Sequence, residues 1–258
     1  MTFFRNVFTI AKKDFRSYFN SPIAYIVMAV FSFIMGYIFF SILNIFIMQS
    51  MQFEQFHYGK GPNFSDHLIR PIWGNMNVIL LFIIPFITMR LIAEERKNNT
   101  IELLLTAPVK LSEIVFGKFF SALGFVLVLL SLTLPFPLVL ELAANPDWGV
   151  IGMCYLGTIC MISVYVAVGV LCSSLTENQI IAGALTFGIV LFFWIIKWAS
   201  YSAGPILSEL LGYLSIIDHF EDFSKGVFNT KDLVFYLSAM GTWLFLTYKA
   251  LESYTWRS

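Results

Sequence analysis

The chain has 258 residues, 58% of them hydrophobic and only 12% charged, with 28 phenylalanines. Soluble domains carry about 25% charged residues, so this composition is that of a membrane protein whose spans take up most of the chain. Sixteen basic residues balance sixteen acidic ones, so the net charge points to no nucleic-acid partner.

Residues 1–20 read as an interfacial helix. Phe4, Val7, Phe8, Ala11, Phe15, Tyr18 and Phe19 recur at three and four, while Arg5, Lys12, Lys13 and Arg16 take other faces. A basic amphipathic helix with aromatics on its apolar side lies in the headgroup plane, and a plain positive anchor is the simpler alternative. No cleavable signal peptide is expected, because the first apolar run is too long and lacks a small-residue cleavage site.

Residues 21–258 hold six uncharged runs near the ~20 residues a bilayer crossing requires. They fall within Pro22 to Phe53 and at about Ile72 to Arg90, Ile114 to Leu140, Val150 to Cys172 and Ile180 to Trp198, ending with the short run Leu233 to Tyr248. Pro85 in the second run and Pro135 and Pro137 in the third remove backbone bonds and bend helices, as hinges or as static packing. Cys154, Cys160 and Cys172 share one apolar run at no metal or redox spacing, so no metal site is expected.

The loops differ in character. Residues 49–70, with Gly59, Gly61 and Pro62, read as a mobile polar loop, and 141–149 (ELAANPDWG) as a tight turn. Between the second and third runs comes RLIAEERKNNTIELLLTAPVKLS, residues 90–112, the most charged stretch inside the hydrophobic part. A charge at the bilayer centre costs at least about 3 kcal/mol, so this loop leaves the membrane. The entering helix is expected to continue to Lys97 and to end at Asn98 and Asn99, which tolerate the left-handed conformation. Thr100 can cap a short helix carrying Glu102 in its first turn and Ile101, Leu104 and Leu105 on one side, ended by Pro108. Ser112 is a plausible cap for the next span. Composition alone also allows a solvated connector here.

Residues 173–179 (SSLTENQ) are a capped connector or a second, smaller docking point. In the loop 200–232, Pro205 opens a helix with Ile206, Leu207, Leu210, Leu211 and Leu214 at helical spacing. A second half-apolar segment follows, with Phe220, Phe223 and Val227. The pair forms a lid on an exit path or a packed cap over the bundle. With a cytoplasmic N-terminus, 11 of the 16 basic residues fall on the inside, which obeys the positive-inside rule and puts both termini and the 90–112 loop in the cytoplasm.

No ionisable residue lies deep in any run, which argues against an ion-coupled carrier, and no nucleophile–base pair marks a catalytic site. The G-x-x-x-x-G-K-[ST] phosphate loop is missing, so the chain cannot hydrolyse ATP by itself.

The segment Glu94 to Val109, E-E-R-K-x-x-T-I-E-L-L-L-T-A-P-V, resembles the loop between the second and third spans of ABC-2 type export permeases; Asn99 stands where that family usually has glycine. FNSPIAYI, Phe19 to Ile26, resembles the opening of the permeases associated with bacterial gliding motility. The resemblance covers nearly the whole chain and is strongest at 94–109. It implies an all-α polytopic fold: six transmembrane helices, an N-terminal interfacial helix, and re-entrant or surface helices at 200–232 before the last span. It also implies a non-catalytic permease subunit of the bacterial inner membrane. Glu94, Glu95, Arg96, Thr100, Glu102, Leu104, Leu105 and Pro108 would form a coupling helix docking on an ABC ATPase subunit, which would bind the ATP and Mg; no cofactor is expected in this chain. Leu210, Leu214, Phe220 and Phe223 would belong to outer lid helices. A second transmembrane subunit, identical or different and in one branch bearing a large outer domain, would complete the passage, alongside membrane lipid. The alternative is a mechanotransmitting or structural subunit, for example in gliding machinery, that moves no solute.

Overall fold

A computed structural model describes residues 2–56, 63–101, 108–143, 146–201 and 204–255, and every regular element among them is helical. In chain order these are α1 (Thr2–Asn20), α2 (Pro22–Phe56), α3 (Arg70–Thr88), α4 (Ala93–Lys97), α5 (Leu111–Ser131), α6 (Pro135–Ala143), α7 (Trp148–Leu175), α8 (Gln179–Tyr201), α9 (Pro205–Leu214), α10 (Ile216–Ser224) and α11 (Thr230–Thr255), with a π-helical turn, Ser65–Ile69, leading into α3. Five stretches are long and apolar enough to cross a membrane: Pro22–Gln52, Ser65–Lys97, Leu111–Leu142, Trp148–Leu175 and Gln179–Ala199. α11 has the length but is more polar.

α7 is the axis of the bundle. It is apolar on every side, the pattern of a helix surrounded by others, and from Met161 to Ser174 every side chain is buried. α3, α5, α8, α10 and α11 all pack on it. α3 and α7 run in the same direction: Trp73 meets the Tyr155 ring edge-on at 5.3 Å, and a full helix-length on, Thr88 meets Gly169 so closely that a Cβ there would lie 2.1 Å from the threonine hydroxyl. α2 is peripheral. Phe31, Met35 and Phe39 face inward, whereas Phe33, Tyr37 and Phe40 are exposed.

The spans break where the side-chain chemistry provides partners. Pro135 starts α6 after a three-residue turn at 132–134, so the third apolar run is two helices, with Thr133 bonded to the Leu130 carbonyl at 2.7 Å and to the Tyr155 hydroxyl at 3.0 Å. The expected unbroken helix through Pro85 to Lys97 is corrected: α3 ends at Thr88, and residues 89–92 form a turn before α4. Ser112 does not cap α5. The helix begins one residue earlier, and the Glu113 carboxylate accepts the Lys110 N–H at 2.9 Å. The polar loop expected at 49–70 is also shorter than its composition suggests, since helix-forming Met, Gln and Glu side chains carry α2 on to Phe56; Gly59, Gly61 and Pro62 lie outside the described residues.

The N-terminal helix lies along a neighbour. Asn6 bonds Glu113 at 3.1 Å, Ile10 covers Gly117, Phe15 covers Gly124, and Tyr18 stacks on Phe125 at 5.0 Å. The contacts advance together, so α1 runs beside the first half of α5 in the same direction. Phe4 and Phe8 point away from the protein, on the same side as basic residues.

At the end opposite α1, two helices cover the bundle. Ser215 caps α10 through the Asp218 N–H at 3.3 Å. Phe220 and Phe223 are buried, lying against Gly157 of α7 at distances that leave no room for a Cβ. Leu210 and Leu214 of α9 are exposed instead. α10 is tied to α11 by the Tyr236 hydroxyl donating to the Ile216 carbonyl at 2.8 Å and by the His219–Asp232 pair at 2.6 Å.

Candidate functional site

One end of the bundle gathers α1, residues 88–101 and 108–118, the α7–α8 turn and the last turns of α11, and α4 sits among them. The turn entering α4 exposes backbone N–H groups that a straight helix would have paired. Ser173 of α7 supplies what is missing: its Oγ accepts from the N–H of Ile92 at 2.9 Å and of Ala93 at 3.0 Å, and donates to the Met89 carbonyl at 3.1 Å. One buried hydroxyl thus closes the break.

α4 ends as its residues require. Asn99 has φ 55°, the left-handed conformation that asparagine tolerates best after glycine. Its N–H bonds the Arg96 carbonyl at 3.1 Å and the Thr100 N–H bonds the Glu95 carbonyl at 2.9 Å, the paired closure of a Schellman turn. The Thr100 hydroxyl also donates back to Glu95 O at 3.2 Å. Ile101 is buried, so the chain after the turn folds back onto the bundle.

Two neighbouring side chains of α4 reach into the protein in different directions. Glu95 accepts from Lys118 of α5 at 2.5 Å, and the same ammonium lies 3.0 Å from Asp14 of α1. Lys118 is only 3% exposed, so its charge depends on these two carboxylates. Arg96 donates to the Ser174 carbonyl at 2.5 Å, lies 3.8 Å from Glu177, and sits 4.7 Å above the ring of Tyr254 near the end of α11. α4 is therefore held by α1 and α5 through Glu95 and by α7, the following turn and α11 through Arg96. Glu94, Lys97, Asn98 and Pro108 remain exposed. Glu102, Leu104 and Leu105 lie outside the described residues.

Between α1 and α4 opens a cleft of about 310 Å³ lined by Lys13, Asp14, Tyr18, Arg90, Glu94 and Lys118, among others. Tyr18 is buried, its hydroxyl donating to the Ile87 carbonyl at 3.1 Å, and the Arg90 guanidinium lies 4.7 Å from its ring. Burial pushes the phenol well above its usual range, so it stays a neutral donor. Among the described residues no three His, Cys, Asp or Glu side chains are arranged to hold a metal ion.

The sequence located the helix end at Lys97 and its terminating turn, but neither the break that makes α4 a separate helix nor what holds it. Asp14 and Tyr254 carry no signal of this role in the sequence, Ser173, Ser174 and Glu177 are legible only as part of the 173–179 connector or second docking point, and Lys118 counts only towards membrane orientation. The one available signal was a lone lysine inside Phe116-Gly117-Lys118-Phe119-Phe120, where a charge among apolar neighbours demands a partner. A family model described as ABC-2 family transporter protein matches residues 8–248. A search of curated proteins found no match.

Proposed function

The chain belongs to the ABC-2 family of transporter proteins, and from that premise we propose that it is the permease subunit of an ATP-driven exporter in a bacterial inner membrane, with α4 and the residues after it docking on a separate ABC ATPase. Family membership makes it a multi-pass membrane subunit partnered by such an ATPase. The observation that carries the docking assignment is the double anchoring of α4: Glu95 on Lys118 and Asp14, Arg96 on Ser174, Glu177 and Tyr254. A short segment fixed from two sides, with Glu94, Lys97 and Pro108 exposed, can deliver a push from a docked partner to four helices at once. Glu95 and Arg96 then act as internal tethers, and the exposed residues meet the partner.

The end bearing α4 faces the cytoplasm on this reading, in keeping with the excess of basic residues there. α11 is the sixth span: its Asp232 lies with α10 at one end of the bundle and its Tyr254 with α4 at the other. A second transmembrane subunit completes the passage. The second reading, a mechanotransmitting subunit that works on an outer partner, as in gliding machinery, draws support from the bonds joining α10 to α11.

A photo-cross-linking residue at Lys97 or Pro108, used in native membranes, should capture an ABC ATPase, while one at Leu210 should not. An intact permease–ATPase complex with no adduct at either position would overturn the docking assignment. Lys231→Cys should react with a membrane-impermeant thiol reagent on whole cells; labelling only after lysis would invert the topology.

A further inference from the structure

Three cavities follow one another along α3. The cleft between α1 and α4 shares Tyr18, Arg90 and Glu94 with a second cavity of about 370 Å³, which in turn shares Phe86 and Met89 with a third of about 430 Å³ between α3 and α8. Their chemistry changes in that order. The first is lined mostly by charged and polar side chains, with Leu91 the apolar exception, the second by polar and apolar side chains together, and the third only by Phe, Pro, Met, Ile, Gly and Ala.

The three cations and three carboxylates of the first cavity sum to zero, but they are not all paired. Lys118 is committed to Asp14 and Glu95. Arg90, Lys13 and Glu94 have no ion-pair partner among the described residues; Arg90 lies over the Tyr18 ring and beside its hydroxyl. Two cations and one carboxylate thus face an open space at the level where the second apolar span ends. From Arg90 to Phe82 the chain rises roughly 12 Å at 1.5 Å per residue, close to the ~15 Å of hydrocarbon in one leaflet.

We propose that this continuous groove binds one zwitterionic, amine-bearing glycerophospholipid of the leaflet that meets this end of the bundle, with its phosphate on Arg90 and Lys13, its ammonium on Glu94 and an acyl chain in the apolar slot. Guanidinium is suited to phosphate because its forked donors match two oxygens at once. A fatty acid would leave Glu94 unmatched, and a soluble anion would leave the slot empty. Because the head lies between α1 and α4, the bound lipid fixes both against the bilayer surface. This inference rests on the chain spanning the membrane and not on the docking of an ATPase.

The test uses the full chain in dodecyl maltoside micelles containing a trace of phosphatidylethanolamine with a diazirine in its acyl chain. Cross-links should concentrate on peptides bearing residues 82–89 and 180–187, and unlabelled phosphatidylethanolamine should compete where added phosphatidylglycerol does not. Arg90→Gln should weaken labelling roughly tenfold, the scale of one lost charge-assisted hydrogen bond. Ala184→Trp should block the slot while leaving the head cleft intact. Labelling spread evenly over the exposed faces of α2 and α8, insensitive to both substitutions, would reduce the groove to ordinary boundary lipid. Equal competition by phosphatidylglycerol would overturn the role of Glu94. An absence of label on 82–89 and 180–187 in a dimeric preparation would overturn the proposal, the groove then being covered by a second subunit. The adduct at Lys97 reads ATPase docking independently of all these outcomes.

Discussion

Replacing Lys118 by methionine tests the electrostatics that hold α4. The ammonium is 2.5 Å from Glu95 and 3.0 Å from Asp14, with the two carboxylate side chains 20% and 13% exposed. At an effective dielectric of about 20, each attraction is worth on the order of 4 kcal/mol or more before desolvation is subtracted. Methionine fills nearly the same volume, so packing changes little, but two half-buried carboxylates then face one another without a cation. Losing one partner of a buried ion pair costs about 3–5 kcal/mol, which corresponds to a fall in Tm on the order of 10 °C for a chain of this size. The assay is thermal unfolding of the purified chain in detergent. The decisive comparison is Asp14→Asn, Glu95→Gln, Lys118→Met together, because neutralising all three removes the uncompensated charge and should restore most of the lost stability. An unchanged Tm for Lys118→Met, or a triple variant as unstable as the single one, would refute the reasoning.

Three further expectations follow from particular contacts. Ser173→Ala leaves the N–H groups of Ile92 and Ala93 without their acceptor and should cost about 2 kcal/mol, with faster amide exchange at 89–93; Ser173→Thr should retain the bonds. Gly169→Ala drives a methyl into Thr88 and should destabilise by about 1–3 kcal/mol, measured by unfolding, and Thr88→Gly in the same chain should relieve it. Hydrogen bonds from Lys225 and Lys197 hold the Glu221 carboxyl below the usual range. Its stabilisation of α10 is therefore present above the ordinary carboxyl pKa of about 4.3 and is lost as pH falls through the lower folded value. Protection factors in α10, referred to the intrinsic exchange rate at each pH, should fall in acid, and Glu221→Gln should flatten that dependence.

What could be read in the sequence follows from where the determining groups lie. The five strongly apolar spans were legible because length and hydropathy are local properties. The turn at Asn99 was legible for the same reason: few residues accept a positive φ, and two asparagines stood in line. The break at 89–92 was not, because a helix-compatible stretch is interrupted by a hydroxyl 81 residues further on. Glu95 and Arg96 looked like surface charges in a loop, and nothing near them announced that Lys118 would draw one inward and Ser174 the other. α9 and α10 were legible as helices, but which face would be buried was not; α10 meets α7 where Gly157 admits Phe223, while α9 keeps Leu210 and Leu214 exposed.

α11 has a geometric consequence of its own. Its Asp232 holds His219 of the covering helices, and its Tyr254, 22 residues on, lies under Arg96 of α4. At 1.5 Å per residue that is roughly 33 Å of unbroken helix, about the thickness of the hydrocarbon layer. A helix scarcely changes length, so it behaves as a connecting rod. A shift of α4 that drags Tyr254 along the rod's axis arrives at His219 undiminished, with no intervening joint to absorb it. The two faces of the protein are coupled by a single part.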